Sequence, residues 1–295
     1  MNPGDTVHRN WRVWWPAHAD ELAADMRVRL PAAVRAWGLG RLTRLHGGEV
    51  ALVFAAQTPR GDAVLKLNPR IEGETDELAG EPLALDLWSS AGAAPRVLGS
   101  RDDGHTILIE RVRPGHNLRD TGAGALEIVT TLGALCPLIH LTGQERRFRA
   151  LRDGADIDSW RHQLTRTRER DEFERLLEPG RGDRLLHIDL HWLNALRGPA
   201  GWLVIDPKPV VGDPHADVFA FFDGPPLAAV PDGLRAAREH VQTLIDAYAH
   251  AAGLERDRLQ AWVRIRALVF AGQLGEDGGD HARRELVLRL ADAVT

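Results

Sequence analysis

Residues 185–206 read LLHIDLHWLNALRGPAGWLVID. Two histidines, two aspartates and an asparagine stand among apolar residues, and the turns decide how they meet. Leu185 and Leu186 enter the polar stretch as a strand. After Asn194 a strand pair forms around RGPAGW and reaches WLVID, so Asp206 ends a strand that hairpins back beside the segment holding Asn194. Asp189, Asn194 and Asp206 then fall at one end of a small sheet, close enough to share a ligand. Two carboxylates and an amide are hard oxygen donors, which suit Mg²⁺ rather than zinc. Phosphoryl transfer needs those parts: a carboxylate to accept a hydroxyl proton, and oxygen ligands for Mg²⁺ bridging the phosphates.

Such a site also needs a cation on the phosphates. Lys66 lies inside the apolar strand AVLKL (residues 63–67), where an unpaired ammonium is costly, so a buried partner is expected. The following helix offers Glu74, Glu77 and Glu81; Glu81 opens the most apolar stretch, EPLALDLW, and is the choice. Upstream, the Gly47-Gly48 turn lets backbone N–H groups approach phosphates.

The rest of the chain sorts into a sheet-rich first part and a helix-rich second part. Helical spacing covers 17–37, closed by Gly38, and three antiparallel strands joined by two tight turns follow. A charged helix spans roughly 74–91, and two more strands flank Asp102-Asp103-Gly104. Beyond Val112-Arg113-Pro114 the segments 123–141, 157–177, 232–252, 256–274 and 281–293 read as helices. The domains are therefore set at 1–112 and 113–295.

The chain has 295 residues, 44% hydrophobic and 27% charged, which suits two modest domains or a single large bilobal unit and not a disordered protein. A net charge of −5 argues against nucleic acid as the main partner. The single cysteine, Cys136, allows no internal disulfide and sits in an apolar run as a core residue. The start of the chain lacks the layout of a signal peptide, and no apolar stretch is long enough for a membrane helix, so a cytoplasmic location is expected. P-loop, zincin, G-x-S-x-G and paired C-x-x-C motifs are all missing.

With these residues in hand, the chain resembles the bacterial antibiotic phosphotransferases of the protein-kinase-like fold, in particular the streptomycin kinase and hydroxyurea phosphotransferase group. HIDLHWLN and WLVIDPKPVVGDPHAD match that group's H-G-D-L-H-x-x-N and I-D-P-K-x-x-x-G-x-P-x-x-D, and VLKL, EPLALDLW and ILIERVRPGHNL fall at the expected distances upstream. The resemblance covers roughly residues 40–225. It implies an α+β, bilobal fold: a small antiparallel-sheet N-lobe that binds nucleotide, and a larger, mostly helical C-lobe with the catalytic loop and acceptor site. It further implies Asp189 as catalytic base, Asn194 and Asp206 as Mg²⁺ ligands, and Lys66 on the α- and β-phosphates of ATP or GTP, paired with Glu81. Glu110 to Val112 become the hinge that meets the purine, and Lys208 matches a position near the phosphates. Two residues depart from the pattern. Ile188 replaces the usual glycine, which an extended backbone would tolerate, and Trp192 replaces a small residue or proline and narrows or retunes the acceptor pocket.

The acceptor is expected to be a small, cationic, hydroxyl-bearing molecule, an aminoglycoside such as streptomycin ahead of hydroxyurea or a metabolite, with Asp223 and Glu276 supplying carboxylates beside Asp189. Other readings stay open. His187, Asp189, His191, Asp213, His215 and Asp217 are the right types for a two-metal hydrolase centre, and the departures inside the catalytic loop are compatible with a nucleotide-binding protein without turnover. By default His187 is a scaffold for the loop backbone, and Asp213 and Asp217 are caps or loop-fixing residues.

Overall fold

The computed structural model describes residues 5–45, 50–73, 75–178, 182–276 and 280–294, with the side chains of 5–9, 155, 156 and 276 outside that description. The Gly47-Gly48 turn and Glu74 lie outside the described residues. By contacts the chain divides into two units, Met1–Ser90 with Ala94–Arg113, and Ala91–Ala93 with Pro114–Thr295. The short piece 91–93 joins the second unit because the Ala93 carbonyl accepts a hydrogen bond from Val204 N at 2.7 Å.

The first unit is a five-stranded antiparallel sheet in the order β1-β2-β3-β5-β4, built from β1 (Thr43–Arg44), β2 (Leu52–Thr58), β3 (Gly61–Leu67), β4 (Val97–Arg101) and β5 (Thr106–Glu110). The β2–β3 hairpin turns at Pro59-Arg60, and Gly61 takes φ +130, a conformation barred to side chains. Register pairs Phe54 with Leu65 and Val53 with Lys66. Side chains alternate across a strand, so Leu52, Phe54, Ala56, Ala63, Leu65 and Leu67 share one face. That face packs on α1 (Asp5–Trp14) and α2 (Ala19–Trp37), through Trp11, Leu22, Met26 and Ala33. Lys66 is left on the opposite face.

The helix expected over 74–91 is two elements. A 3-10 turn spans Asp76–Gly80, and α3 (Glu81–Ser90) starts afresh. Pro82 causes the break: it has no N–H to give to a preceding turn, yet fits the first turn of a new helix.

The second unit is mostly helical: α4 (Ala125–Ile139), α5 (Ala155–Gln163), α6 (Thr167–Leu177), α7 (Gly224–Ala228), α8 (Leu234–Ala252), α9 (Arg256–Glu276) and α10 (His281–Ala293). The expected helix 157–177 is broken between α5 and α6, where buried Leu164 takes an extended backbone. Helix α9 buries Leu259, Trp262, Val263, Ile265, Val269 and Ala271, a pattern that suits the centre of a helical body. Gly133 lets α4 approach α8, since a Cβ there would lie 3.0 Å from the Tyr248 carbonyl. Cys136 is fully buried in the same contact, beside the Tyr248 hydroxyl at 3.2 Å. Two small strand pairs interrupt the helices: β6 (Arg184–Leu186) with β9 (Val210–Gly212), and β7 (Ala195–Arg197) with β8 (Trp202–Val204). Among the described residues no helix is long and apolar enough to cross a membrane.

Candidate active site

In the first unit Lys66 is 7% exposed and Glu81 is 1% exposed. The Lys66 ammonium lies 2.7 Å from Glu81 Oε2. Placing a lysine in the middle of β3 therefore brings with it a buried carboxylate from the first residue of α3, and the pair expected from the sequence is formed. Glu110 ends β5 with its carboxylate on Arg96 at 2.9 Å, and Val112 follows in the segment that leads to Pro114.

In the second unit the β7–β8 hairpin sets the geometry. Ile205 N donates to Asn194 O at 3.0 Å, which brings the Asp206 turn beside Asn194. Asn194 is buried and donates through Nδ2 to the Asp189 carbonyl at 2.9 Å. Its amide oxygen therefore faces away from that bond. The Asp189 side chain is 24% exposed, and His191 Nε2 lies 3.9 Å from its carboxylate. Among the described residues nothing donates a hydrogen bond to its carboxylate, as suits a group kept for a substrate proton.

Asp217 holds this loop. Fully buried, it accepts from His187 N at 2.9 Å and Ile188 N at 2.6 Å, while His140 Nε2 lies 3.0 Å from it. Burial works against its charge, but His140 and the backbone donors hold its carboxyl below the usual range. The expected extended backbone at Ile188 is not what forms: Ile188 has φ +63, the left-handed region, with its side chain buried. Two consecutive amides can converge on one carboxylate only if the chain curls there, and a curled residue reads most easily as glycine. Asp206 also has a positive φ, 59.

His187 is a scaffold. Burial lowers its pKa, and Nε2 contacts the Ile205 carbonyl at 3.0 Å, which makes that nitrogen the donor of a neutral ring. Four of the six residues of the hydrolase reading, His187, Asp213, His215 and Asp217, are otherwise engaged. Asp217 is spent on backbone and His140, and Asp213 is shared by Arg258, Trp262 and His215. No three of the described His, Cys, Asp and Glu residues are grouped to hold a metal.

The carboxylate expected for a cationic acceptor is paired within the fold. Asp223 accepts from Trp192 Nε1 at 2.9 Å and from Arg283 Nη2 at 3.1 Å, and His191 Nδ1 lies 3.7 Å away. Its charge is already matched by a guanidinium from α10. The Trp192 indole is packed so closely on Gly224 that a Cβ there would fall 2.4 Å from the ring. Glu276 is the last residue of α9, and its side chain lies outside those described.

A sequence signal the motifs had not exposed concerns the cations. Of 37 lysines and arginines, only Lys66 and Lys208 are lysines. Lysine is a compact, mobile point charge where arginine is a planar fork, so the two are not interchangeable. Lys208 is exposed, and its backbone N–H is tied to the His187 carbonyl at 3.0 Å.

A small antiparallel sheet carrying a buried lysine–glutamate pair, and a helical unit carrying an aspartate, an asparagine and a second aspartate on loops, define a protein-kinase-like phosphotransferase. The comparisons narrow this. Residues 37–278 match the aminoglycoside/hydroxyurea antibiotic resistance kinase family, and the chain belongs to that family. It is 32% identical to the hydroxyurea phosphotransferase of Kitasatospora aureofaciens over 278 residues, 88% of this chain and 76% of that one. It is 30% identical to the streptomycin 6-kinase of Streptomyces griseus over 264 residues, 83% and 81% of the two chains. Among solved structures, an amicoumacin kinase bound to AMP-PNP, Ca²⁺ and amicoumacin superposes with a TM-score of 0.63 at 14% identity, covering 93% of this chain and 95% of the other. At that identity the likeness shows the fold.

Proposed function

We propose that this protein transfers the γ-phosphoryl group of ATP or GTP to a hydroxyl of a small-molecule acceptor. The observation that carries the reading is the Asp189 carboxylate: partly exposed, without a hydrogen-bond donor, and set on a loop that Asp217 and Asn194 pin. A carboxylate so placed can orient the acceptor hydroxyl and take its proton. Lys66, held by Glu81, would contact the nucleotide phosphates, with Lys208 as a second cation and Glu110 to Val112 meeting the base. Asn194 and Asp206 would hold Mg²⁺. The donor set fits, because Asn194 turns its Nδ2 to Asp189 and keeps its oxygen for another partner. When bound, the ion would offset charge on the phosphates. The amicoumacin kinase complex with AMP-PNP supports a nucleotide donor, and a cytoplasmic location goes with that reading.

A cationic acceptor of the streptomycin type is the first candidate, on the likeness to streptomycin 6-kinase. One observation favours the second, neutral hydroxyurea: the Asp223 carboxylate is already matched by Arg283. The test is transfer of labelled γ-phosphate from ATP and GTP to streptomycin, other aminoglycosides, hydroxyurea and sugar alcohols. Transfer to one of the first three is expected, with turnover lowered roughly a hundredfold or more by Asp189→Asn at nearly unchanged nucleotide affinity. Near wild-type turnover in that variant would remove Asp189 from the chemistry. Nucleotide binding without transfer to any acceptor would favour a binding protein without turnover.

A further inference from the structure

We propose that Asn68 is a positioning residue for nucleotide binding: its amide holds the Glu81 carboxylate in place when Lys66 turns its ammonium toward the phosphates. This rests on the reading that Lys66 binds those phosphates.

Two donors meet on one oxygen. Glu81 Oε2 lies 2.7 Å from Lys66 Nζ and accepts from Asn68 Nδ2 at 2.8 Å. Lys66 and Asn68 are two residues apart, so an extended chain sends both side chains to the same side. Glu81 and Asn68 are each 1% exposed, so water offers the carboxylate no substitute partner. A lysine shared between a buried carboxylate and a phosphate leaves the carboxylate under-satisfied whenever it moves, and a buried anion without donors is costly. A neutral amide that stays behind lowers that cost. It also keeps the Glu81 rotamer, so that Lys66 swings from a fixed anchor.

Asn68 is itself held at both backbone ends. Its N–H donates to the His105 carbonyl at 2.7 Å. Its carbonyl accepts from Arg29 Nη2 at 2.7 Å. Arg29, 4% exposed and reaching from α2, is fixed in turn by Asp25 at 2.6 Å and the Thr106 hydroxyl at 3.0 Å. The residue type is constrained as well. Aspartate here would set two carboxylates against each other, and a second cation would compete with Lys66 for Glu81.

The chain's two lysines make a direct test. Lysine labelled with ¹³C at Cε gives one signal each from Lys66 and Lys208, assigned by the one lost in Lys66→Met. The wild type is titrated with Mg·AMP-PNP, and so are Asn68→Leu and the smaller, uncharged Asn68→Ala, which keeps the site assessable if the leucine variant does not fold. The Lys66 signal is expected to move on binding in the wild type. In the variants its midpoint is expected at roughly tenfold higher nucleotide or beyond, with a smaller displacement at saturation. A purely structural Asn68 would lower the melting temperature but leave midpoint and displacement at wild-type values, and that result overturns the proposal. A wild-type Lys66 signal that ignores bound nucleotide refutes the phosphate reading of Lys66 first, and this inference with it.

Discussion

Replacing Ile188 by alanine and by glycine separates the strain of the 187–194 loop from its packing. Both substitutions remove the same branched side chain, 9% exposed in the native fold, and each is expected to lose about 2–5 kcal/mol from the vacated space. Their difference reports the backbone and the one Cβ methyl that only alanine keeps, whose burial is worth up to about 0.8 kcal/mol. At an ordinary position alanine is favoured over glycine by about 0.4–1 kcal/mol, because glycine has more freedom to lose on folding. Residue 188 has φ +63, where any Cβ costs roughly 1–2 kcal/mol that glycine escapes. The strain roughly offsets the other two effects, so the two variants are expected within about 1 kcal/mol of each other, where an unstrained site would favour alanine by about 1.2–1.8 kcal/mol. Urea unfolding of the two proteins with equal slopes measures this directly. An alanine variant more stable by about 1.2 kcal/mol or more would mean that residue 188 is not left-handed in solution, and the account of Asp217 gathering two consecutive amides would fail with it.

Other outcomes follow from the geometry. Burial disfavours the Asp213 anion, but hydrogen bonds from His215 and Trp262 outweigh it and lower the pKa from 3.8 to about 2. The folded value lies below the unfolded one, so about 2 kcal/mol of stability is present above pH 4 and drains away as pH falls toward 2; Asp213→Asn should flatten that acid limb in pH-dependent unfolding. Elemental analysis of purified protein is expected to find no stoichiometric zinc, since Asn194 and Asp206 offer oxygen alone; one or two tightly held equivalents would revive the histidine cage. Arg283→Met should free Asp223 and lower the KM of a cationic acceptor relative to hydroxyurea, and an unchanged ratio would place Asp223 away from the acceptor.

What the sequence made legible was local. Alternation in AVLKL and the turn at Pro59-Arg60 announced β3 and its hairpin, and the RGPAGW turn announced the return of Asp206 to Asn194. The buried lysine demanded a carboxylate, and Glu81 supplies it. Illegible were features that depend on distant partners or on a single dihedral. Arg283 reaches Asp223 from sixty residues away, so a carboxylate that reads as available in the chain is already neutralised in the fold. The curl at Ile188 is dictated by Asp217, twenty-nine residues on, against the preference of a β-branched side chain. Asn68 carries no motif at all, and its importance appears only when Arg29, Glu81 and Lys66 are seen together.

The scarcity of lysine also decides how this protein can be handled. Reagents that couple to side-chain amines, such as active esters for surface attachment or fluorescent labelling, meet only Lys66 and Lys208. Lys66 is shielded by burial and its ion pair, so Lys208 should take the first modification. On the proposed function, immobilisation through side-chain amines would therefore tether the molecule at its reaction centre. Acylation slowed by bound nucleotide would map that centre with no acceptor in hand.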